Sequence, residues 1–129
     1  MPAASFDQLP KAGFGDDRST NWGELTIDFA KPPRGDLAPL LKGLPDDRCQ
    51  CPHWGYLFKG RFVVRYADHE EIVEAGQAFY MSPGHAPEAL EALEVVQFSP
   101  SAQNHETLNV IRSNMQAMQE KAGRAEGAS

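Results

Sequence analysis

Long hydrophobic runs are missing from this chain of 129 residues. No apolar stretch approaches the roughly 20 residues that a helix needs to cross a bilayer. The opening Met1-Pro2-Ala3-Ala4-Ser5-Phe6-Asp7 lacks the basic start and apolar core of a secretory signal. Clustered positive charge is missing too. Twelve Lys and Arg stand against eighteen Asp and Glu, and the net charge is −6. This composition argues against nucleic acid and against anionic membrane surfaces as partners. Two cysteines are too few for a disulfide-stapled secreted scaffold. The expectation is a cytoplasmic protein with both thiols reduced. Hydrophobic content of 41% and charged content of 23% are ordinary for a globular chain of one domain.

Ten prolines and eleven glycines cut the chain into short pieces, the pattern of an all-β sandwich or barrel. Residues 1–20 show no clean periodicity and read as an N-terminal arm. Within Trp22–Ala30, Leu25, Ile27 and Phe29 alternate with Glu24, Thr26 and Asp28, which predicts a half-buried strand. Lys31-Pro32-Pro33-Arg34-Gly35 ends it. Leu37, Leu40, Leu41 and Leu44 have helical spacing, but Pro39 and Gly43 limit them to about a turn. Tyr56–Tyr66 is aromatic and β-branched, and Gly60 in its middle marks a bulge or sharp bend. Ala67–Glu70 reads as a hairpin turn with His69 at a position of positive φ. Glu71–Ala75, Gln77–Met81 and Ala92–Phe98 complete the strands, and the barrel is placed at 21–103. Leu108, Ile111, Met115 and Met118 then form a helical stripe that packs on its own domain. It predicts a helix over 104–122 with Asn104 as N-cap and a flexible tail over 123–129.

The chemistry concentrates in Cys49-Gln50-Cys51-Pro52-His53 and in Ser82-Pro83-Gly84-His85. On a strand, residues two apart share a face. Cys49, Cys51 and His53 would then project together, with His85 meeting them from a neighbouring strand. Thiolate and imidazole favour zinc or iron over magnesium or calcium. Four protein ligands would close such a site, and three would leave a position for water or substrate. His53 and His85 rank first as ligands, then Cys51, then Cys49. A Cys49–Cys51 disulfide is disfavoured, because on an extended strand the two Cα atoms lie roughly 6.5–7 Å apart. Two other readings stay open: buried free thiols beside a neutral histidine, and a catalytic Cys–His pair. His69 and His105 read as surface residues.

Two glycine-anchored motifs resemble those of the cupin superfamily over roughly residues 43–98. The family's first motif runs Gly, five residues, His-x-His, three or four residues, Glu, six residues, Gly. Counting back from Gly60 puts His53 in the Glu slot, and counting forward from Gly43 puts Cys49-Gln50-Cys51 in the His-x-His slots. The two counts differ by two to three residues, so the chain is shortened between them. The second motif runs Gly, five residues, Pro-x-Gly, two residues, His, three residues, Asn. Gly76 and Gly84 match it, while Ser82, Pro87 and Glu91 stand in its Pro, His and Asn slots. The structural glycines are kept and the usual three-His, one-Glu ligands are not.

The resemblance implies an all-β, cupin-like double-stranded β-helix barrel of jelly-roll type with a C-terminal α-helix. In such a barrel Tyr56, Phe58 and Tyr80 are expected to line the interior and touch an organic ligand. Glu88, Glu91, Glu94 and Gln97 read as a solvated strand face, with one of them turned inward as the alternative. The functional expectation is a small cupin with a metal site inside the barrel, acting on a small organic molecule. The alternative is a metal-free sensor or carrier of a small ligand. A third reading is an interaction module with a filled interior. The resemblance also suggests a homodimer, through Trp22–Ala30 as an edge strand or through the Met-bearing helix.

Overall fold

Gly23, at φ +62°, splits the expected strand Trp22–Ala30 into a hairpin. Its left-handed backbone costs little only without a Cβ. The computed structural model describes residues 3–12 and 16–127, with helical side chains as far as residue 121. The hairpin consists of β1 (Arg18–Trp22) and β2 (Leu25–Ala30). Part of the expected arm is thus a paired strand, and a 3-10 turn at Phe6–Gln8 precedes it. The remaining strands are β3 (Gly35–Asp36), β4 (His53–Lys59), β5 (Arg61–Arg65), β6 (Glu70–Glu74), β7 (Ala78–Met81), β8 (Ala86–Ala89) and β9 (Glu94–Pro100). The final element is α1 (Ser101–Gly127).

Among the described residues the strands form two antiparallel sheets, ordered β1-β2-β9-β4-β7 and β3-β8-β5-β6. From β2 to β9 the chain changes sheet at every connection except the β5–β6 hairpin. This is the jelly-roll barrel that the sequence led us to expect. Gly60 is not a bulge inside one strand. At φ +91° it is the corner where β4 leaves the first sheet and β5 enters the second. β8 was not anticipated, because it contains Pro87. The proline is accommodated on the β3 side as an acceptor, its carbonyl taking the Leu37 N–H at 3.1 Å, while the β3 ladder itself pairs with Glu88 and Ala89. His69 does not take positive φ; among the described non-glycine residues only Asp46 and Asp47 do. His69 stays in the turn by stacking on Tyr66, at 4.6 Å between ring centroids and 13° between planes.

The main core lies between the sheets. Leu57, Phe62, Val64, Val73, Met81 and Val95 pack there. A second cluster joins Leu41, Cys49, Cys51 and Ala86 to Ile111 of α1. The helix packs on its own domain, as expected, and Asn114 Nδ2 ties it down by donating to the carbonyls of Leu40 (2.7 Å) and Lys42 (2.8 Å). It begins at Ser101 rather than Asn104 because Ser101 is already anchored. Its N–H donates to the Glu24 carbonyl at 2.9 Å, and its hydroxyl meets Thr26 Oγ1 at 2.9 Å. The helix continues to Gly127, through most of the expected tail.

The two faces of β2 are the reverse of what hydrophobicity alone suggests. Ala30 belongs to the main core, and Thr26 and Asp28 share its face by alternation. Ile27 and Phe29 lie on the outside, where Leu9, Ala4 and Trp22 cover them together with Val96. β2 is paired on both sides and is not an edge strand.

Gly55 sets the approach of β7 to the interior face of β4. A Cβ at this position would strike the Val96 carbonyl and come within 2.5 Å of the Phe79 ring. Both neighbours are held by the sheet, so the clash cannot relax cheaply. Gly55→Ala is expected to lower unfolding stability by about 1–3 kcal/mol, read as a lower urea midpoint at unchanged slope.

Candidate metal centre

The site begins with a single backbone bridge between Cys49 and His85. The Cys49 N–H donates to the His85 carbonyl at 2.9 Å. The Cys49 carbonyl accepts from the N–H groups of Gly84 (2.9 Å) and His85 (3.2 Å). Gly84 takes φ +94° in this turn, and space for a Cβ is open there, so backbone conformation selects the glycine. His53 arrives from the first residue of β4, where it pairs with Met81 of β7. These three elements bring together one potential ligand atom each from Cys49, His53 and His85, all within 4.8 Å of one another. All three residues are buried, and His85 is only 1% exposed.

Each imidazole is oriented through its Nδ1. His85 Nδ1 donates to the Ser82 carbonyl at 2.7 Å, which fixes the tautomer and leaves Nε2 as the ring nitrogen able to take a metal. His53 Nδ1 lies 2.6 Å from Ser99 Oγ on β9, and its Nε2 lies 3.6 Å from Cys49 Sγ. The two rings meet edge-on, 5.1 Å apart at their centroids. Cys49 Sγ also lies 3.9 Å from Thr107 Oγ1, so α1 closes this end of the barrel over the cluster. Ordering of metal-binding histidines by a second hydrogen bond is a general feature of such sites.

Electrostatics keep the cluster neutral in the absence of a cation. Burial, assisted by the neighbouring His85, lowers the His53 pKa to about 3. Burial also lowers that of His85, against the opposing hydrogen bond to Ser82. Burial pushes the Cys49 thiol up. A catalytic Cys–His pair needs a thiolate, and this environment disfavours one.

Cys51 does not join the others. It is buried, with its Sγ 3.5 Å from the Pro52 carbonyl, and its pKa is pushed up to about 12 by burial and by Cys49. The expected alternation fails because residues 49–52 are not a strand. Cys49 makes one bridge, Cys51 sits in a bend, and β4 starts only at His53. Both thiols are free. The aromatic residues expected to line the interior point elsewhere. In β4 the inward positions are His53 and Leu57. Trp54, Tyr56 and Phe58 alternate with them on the outer face, and Tyr80 of β7 lies beside Trp54. Alternation in a true strand is strict, so the same rule that buries His53 exposes its neighbours.

Ser99 and Thr107 were missed in the sequence. Ser99 lies two residues beyond Gln97 on β9 and so shares its face, a signal hidden because Ser99-Pro100 reads as a strand end. Thr107 adjoins the apolar stripe of the helix and is buried with it. Of the four residues following the second motif, Glu88 pairs with Arg65 at 2.6 Å and Glu94 lies 3.9 Å from Lys59. Gln97 is the one on the interior face, where it hydrogen-bonds Asp28 across the β2–β9 pair.

No family model and no curated protein sequence matches the chain. Solved structures do. A protein of Neisseria meningitidis aligns at 14% identity over 76% of this chain and 98% of its own, with a TM-score of 0.55. A variant of Bacillus subtilis oxalate decarboxylase aligns at 18% identity over 75% of this chain and 28% of its own, with a TM-score of 0.51. An RmlC-like cupin from Shewanella frigidimarina covers 78% of this chain and 91% of its own at 13% identity, with a TM-score of 0.49. At these identities the likeness is one of fold, the two-sheet jelly-roll barrel described above. No helix among the described residues is long and apolar enough to cross a membrane.

Asp28 faces the same interior. Burial, with Asp17 adding to it and a hydrogen bond from Gln97 opposing it, raises its pKa to about 7. The folded state therefore favours the protonated form. The unfolded chain ionises near pH 4, so stability is lost as pH rises from about 4 to about 7. Asp28→Asn removes that cost. It is expected to raise stability by about 1–3 kcal/mol at pH 8 and to change little at pH 4, measured by urea denaturation at both values.

Proposed function

We propose that this protein is a metal-binding cupin-fold protein that holds one divalent transition metal on Cys49 Sγ, His53 Nε2 and His85 Nε2, and acts on a small organic molecule there. The observation that carries the reading is the convergence of three ligand atoms within 4.8 Å, each from a different part of the fold. The donor set fits the metal. One thiol and two imidazoles, with no carboxylate among them, suit zinc first and iron second. Three protein ligands leave one position for water or substrate, and a metal so held supplies Lewis-acid chemistry at that position. Ser99 and the Ser82 carbonyl would hold the two rings in place, and Thr107 would exclude water from the thiol side.

Protein purified without chelator is expected to carry about one zinc or iron per chain by elemental analysis. His53→Ala and His85→Ala should each abolish this, while Cys51→Ala should retain it. Ser99→Ala, which removes only an orienting hydrogen bond, should weaken binding by about 10-fold or more. Metal-free protein whose His53→Ala variant is indistinguishable from wild type would sink the proposal. Both imidazoles are neutral near pH 7, because burial lowers their pKa values. Only the Cys49 thiol then has a proton to give up. Calorimetric titration with zinc in buffers of different ionisation enthalpy should show release of about one proton, and affinity that rises with pH.

A second reading has one observation in its favour. A hollow of about 450 Å³ opens at the seam between β6 and β7, lined by Val64, Val73, Phe79 and Tyr80 among others. It lies in the size range of small-molecule sites. A metal-free carrier would bind its ligand there, at a distance from the histidines. In that case a Val73→Trp substitution would block uptake and His53→Ala would not.

A further inference from the structure

The turn that carries His85 has backbone N–H groups on Ser82, Gly84 and His85, and none on Pro83. Those of Gly84 and His85 both donate to the Cys49 carbonyl. That of Ser82 donates to the phenol oxygen of Tyr66 at 3.1 Å. Every backbone donor of the turn is thus placed, and only this one is placed by a side chain. Ser82 directly follows β7, the outermost strand of the larger sheet, and Tyr66 directly follows β5 of the smaller one. No ladder joins β6 to β7 among the described residues, so the contact reaches across the seam where the two sheets part.

Tyr66 is held on three sides. Its ring packs against the main core. Its N–H donates to the His69 carbonyl at 2.8 Å. The His69 ring stacked on it is itself clamped, with Nδ1 2.7 Å from Asp68 Oδ1 and Nε2 3.1 Å from Glu71 Oε1. Ser82 in turn has little freedom, since a residue before proline is biased to extended backbone. Pinning its N–H then fixes where its carbonyl points, and that carbonyl accepts from His85 Nδ1 at 2.7 Å.

We propose that Tyr66 is a positioning residue for the candidate metal centre: through Ser82 it holds His85 in the tautomer and ring angle that leave Nε2 free for a metal. This role rests on the reading of Cys49, His53 and His85 as metal ligands. Tyr66 supplies no ligand atom itself. His53 is oriented from elsewhere, by Ser99 on β9. A change at Tyr66 therefore reaches one imidazole and spares the other. Without the phenol oxygen the Ser82 N–H falls to water, because Ser82 is only half-buried. Water satisfies the donor without fixing it in space. The Ser82 carbonyl is then free to swing, and the His85 proton to move to Nε2, where it must be displaced before a metal binds. Outer partners of metal ligands are worth about 10- to 100-fold in affinity by this route.

The test compares wild type, Tyr66→Phe and Leu9→Ala. Tyr66→Phe keeps the ring, its stack on His69 and its packing, and deletes one atom. Leu9→Ala empties a buried place on the outer face of the larger sheet, so it loses stability with the orienting bonds intact. Heteronuclear NMR of the imidazole nitrogens in metal-free protein reads the orientation directly. Wild type should show His85 protonated at Nδ1, with that proton exchanging slowly with water. In Tyr66→Phe the exchange should be about 5-fold faster or more and the tautomers mixed, while its His53 signals stay as in wild type. Leu9→Ala should match wild type at both histidines. Zinc titration should give a dissociation constant raised about 10-fold for Tyr66→Phe and unchanged for Leu9→Ala. A wild type that takes up no zinc defeats the metal reading by itself, and the imidazole spectra still decide what Tyr66 does to His85. A His85 spectrum that Tyr66→Phe leaves unchanged overturns the proposal. So does a zinc affinity that it leaves intact, or a change shared equally by His53 or by Leu9→Ala, which marks general loosening.

Discussion

The candidate site depends on three backbone hydrogen bonds between Cys49 and the Gly84–His85 turn. They tie the irregular segment before β4 to the end of the turn that follows β7. Without them Cys49 would sit on a loop, free to wander by several ångströms, and a two-histidine pair would be all that the sheets themselves define. Backbone bonds of this kind contribute only about 1 kcal/mol each in net stability. Their effect here is geometric. They set the position of one ligand atom, while the Ser82 carbonyl, inside the same turn, sets the ring orientation of another. One short turn therefore governs two of the three candidate ligands, and Gly84 is the residue whose backbone freedom allows it.

Residue type and spacing made the fold legible. Gly60 and Gly76 both take positive φ where the chain moves from one sheet to the other, and any fold built of short strands must mark such corners with glycine. The candidate ligands were legible as chemical types and as two clusters, but not as a geometry. Period-2 alternation placed Cys49, Cys51 and His53 on one face, yet it holds only where a ladder exists, and Pro52 cannot donate to one. Cys49 rather than Cys51 joins the histidines because it bridges to His85, a contact over more than thirty residues that no local pattern encodes. Ser99 was invisible for a similar reason, since its partner is on a strand forty-six residues away.

Hydrophobicity misled in β2 and β4 for a physical reason. A barrel that places polar chemistry at one end of its interior cannot keep that end apolar. Thr26, Asp28, Gln97, Ser99 and His53 occupy inward positions on three adjacent strands, and the apolar residues alternating with them are sent outward. Buried polar groups of this number are tolerable only if they satisfy one another. The contacts Thr26–Ser101, Asp28–Gln97, His53–Ser99 and Cys49–Thr107 do so. Two of these four involve α1, so the helix also completes the polar interior.

The same alternation transfers the problem to the outside. Every inward polar residue on β2, β9 and β4 has outward neighbours, and these include Ile27, Phe29, Val96, Phe98 and Trp54. Water on such a surface costs about 25 cal/mol per Å², so a continuous apolar face calls for a cover. The N-terminal segment covers the part nearest β1 and stops short of β4. The uncovered aromatic patch is therefore a consequence of the polar interior. His53 and Trp54 are consecutive residues of one strand, and the pleat that turns the first toward the candidate metal centre turns the second toward the exposed aromatic patch. A shift of register by one residue in β4 would exchange the two and abolish both. The pairing of β4 with β7 and β9 is thus the single constraint that the buried cluster and the exposed patch share.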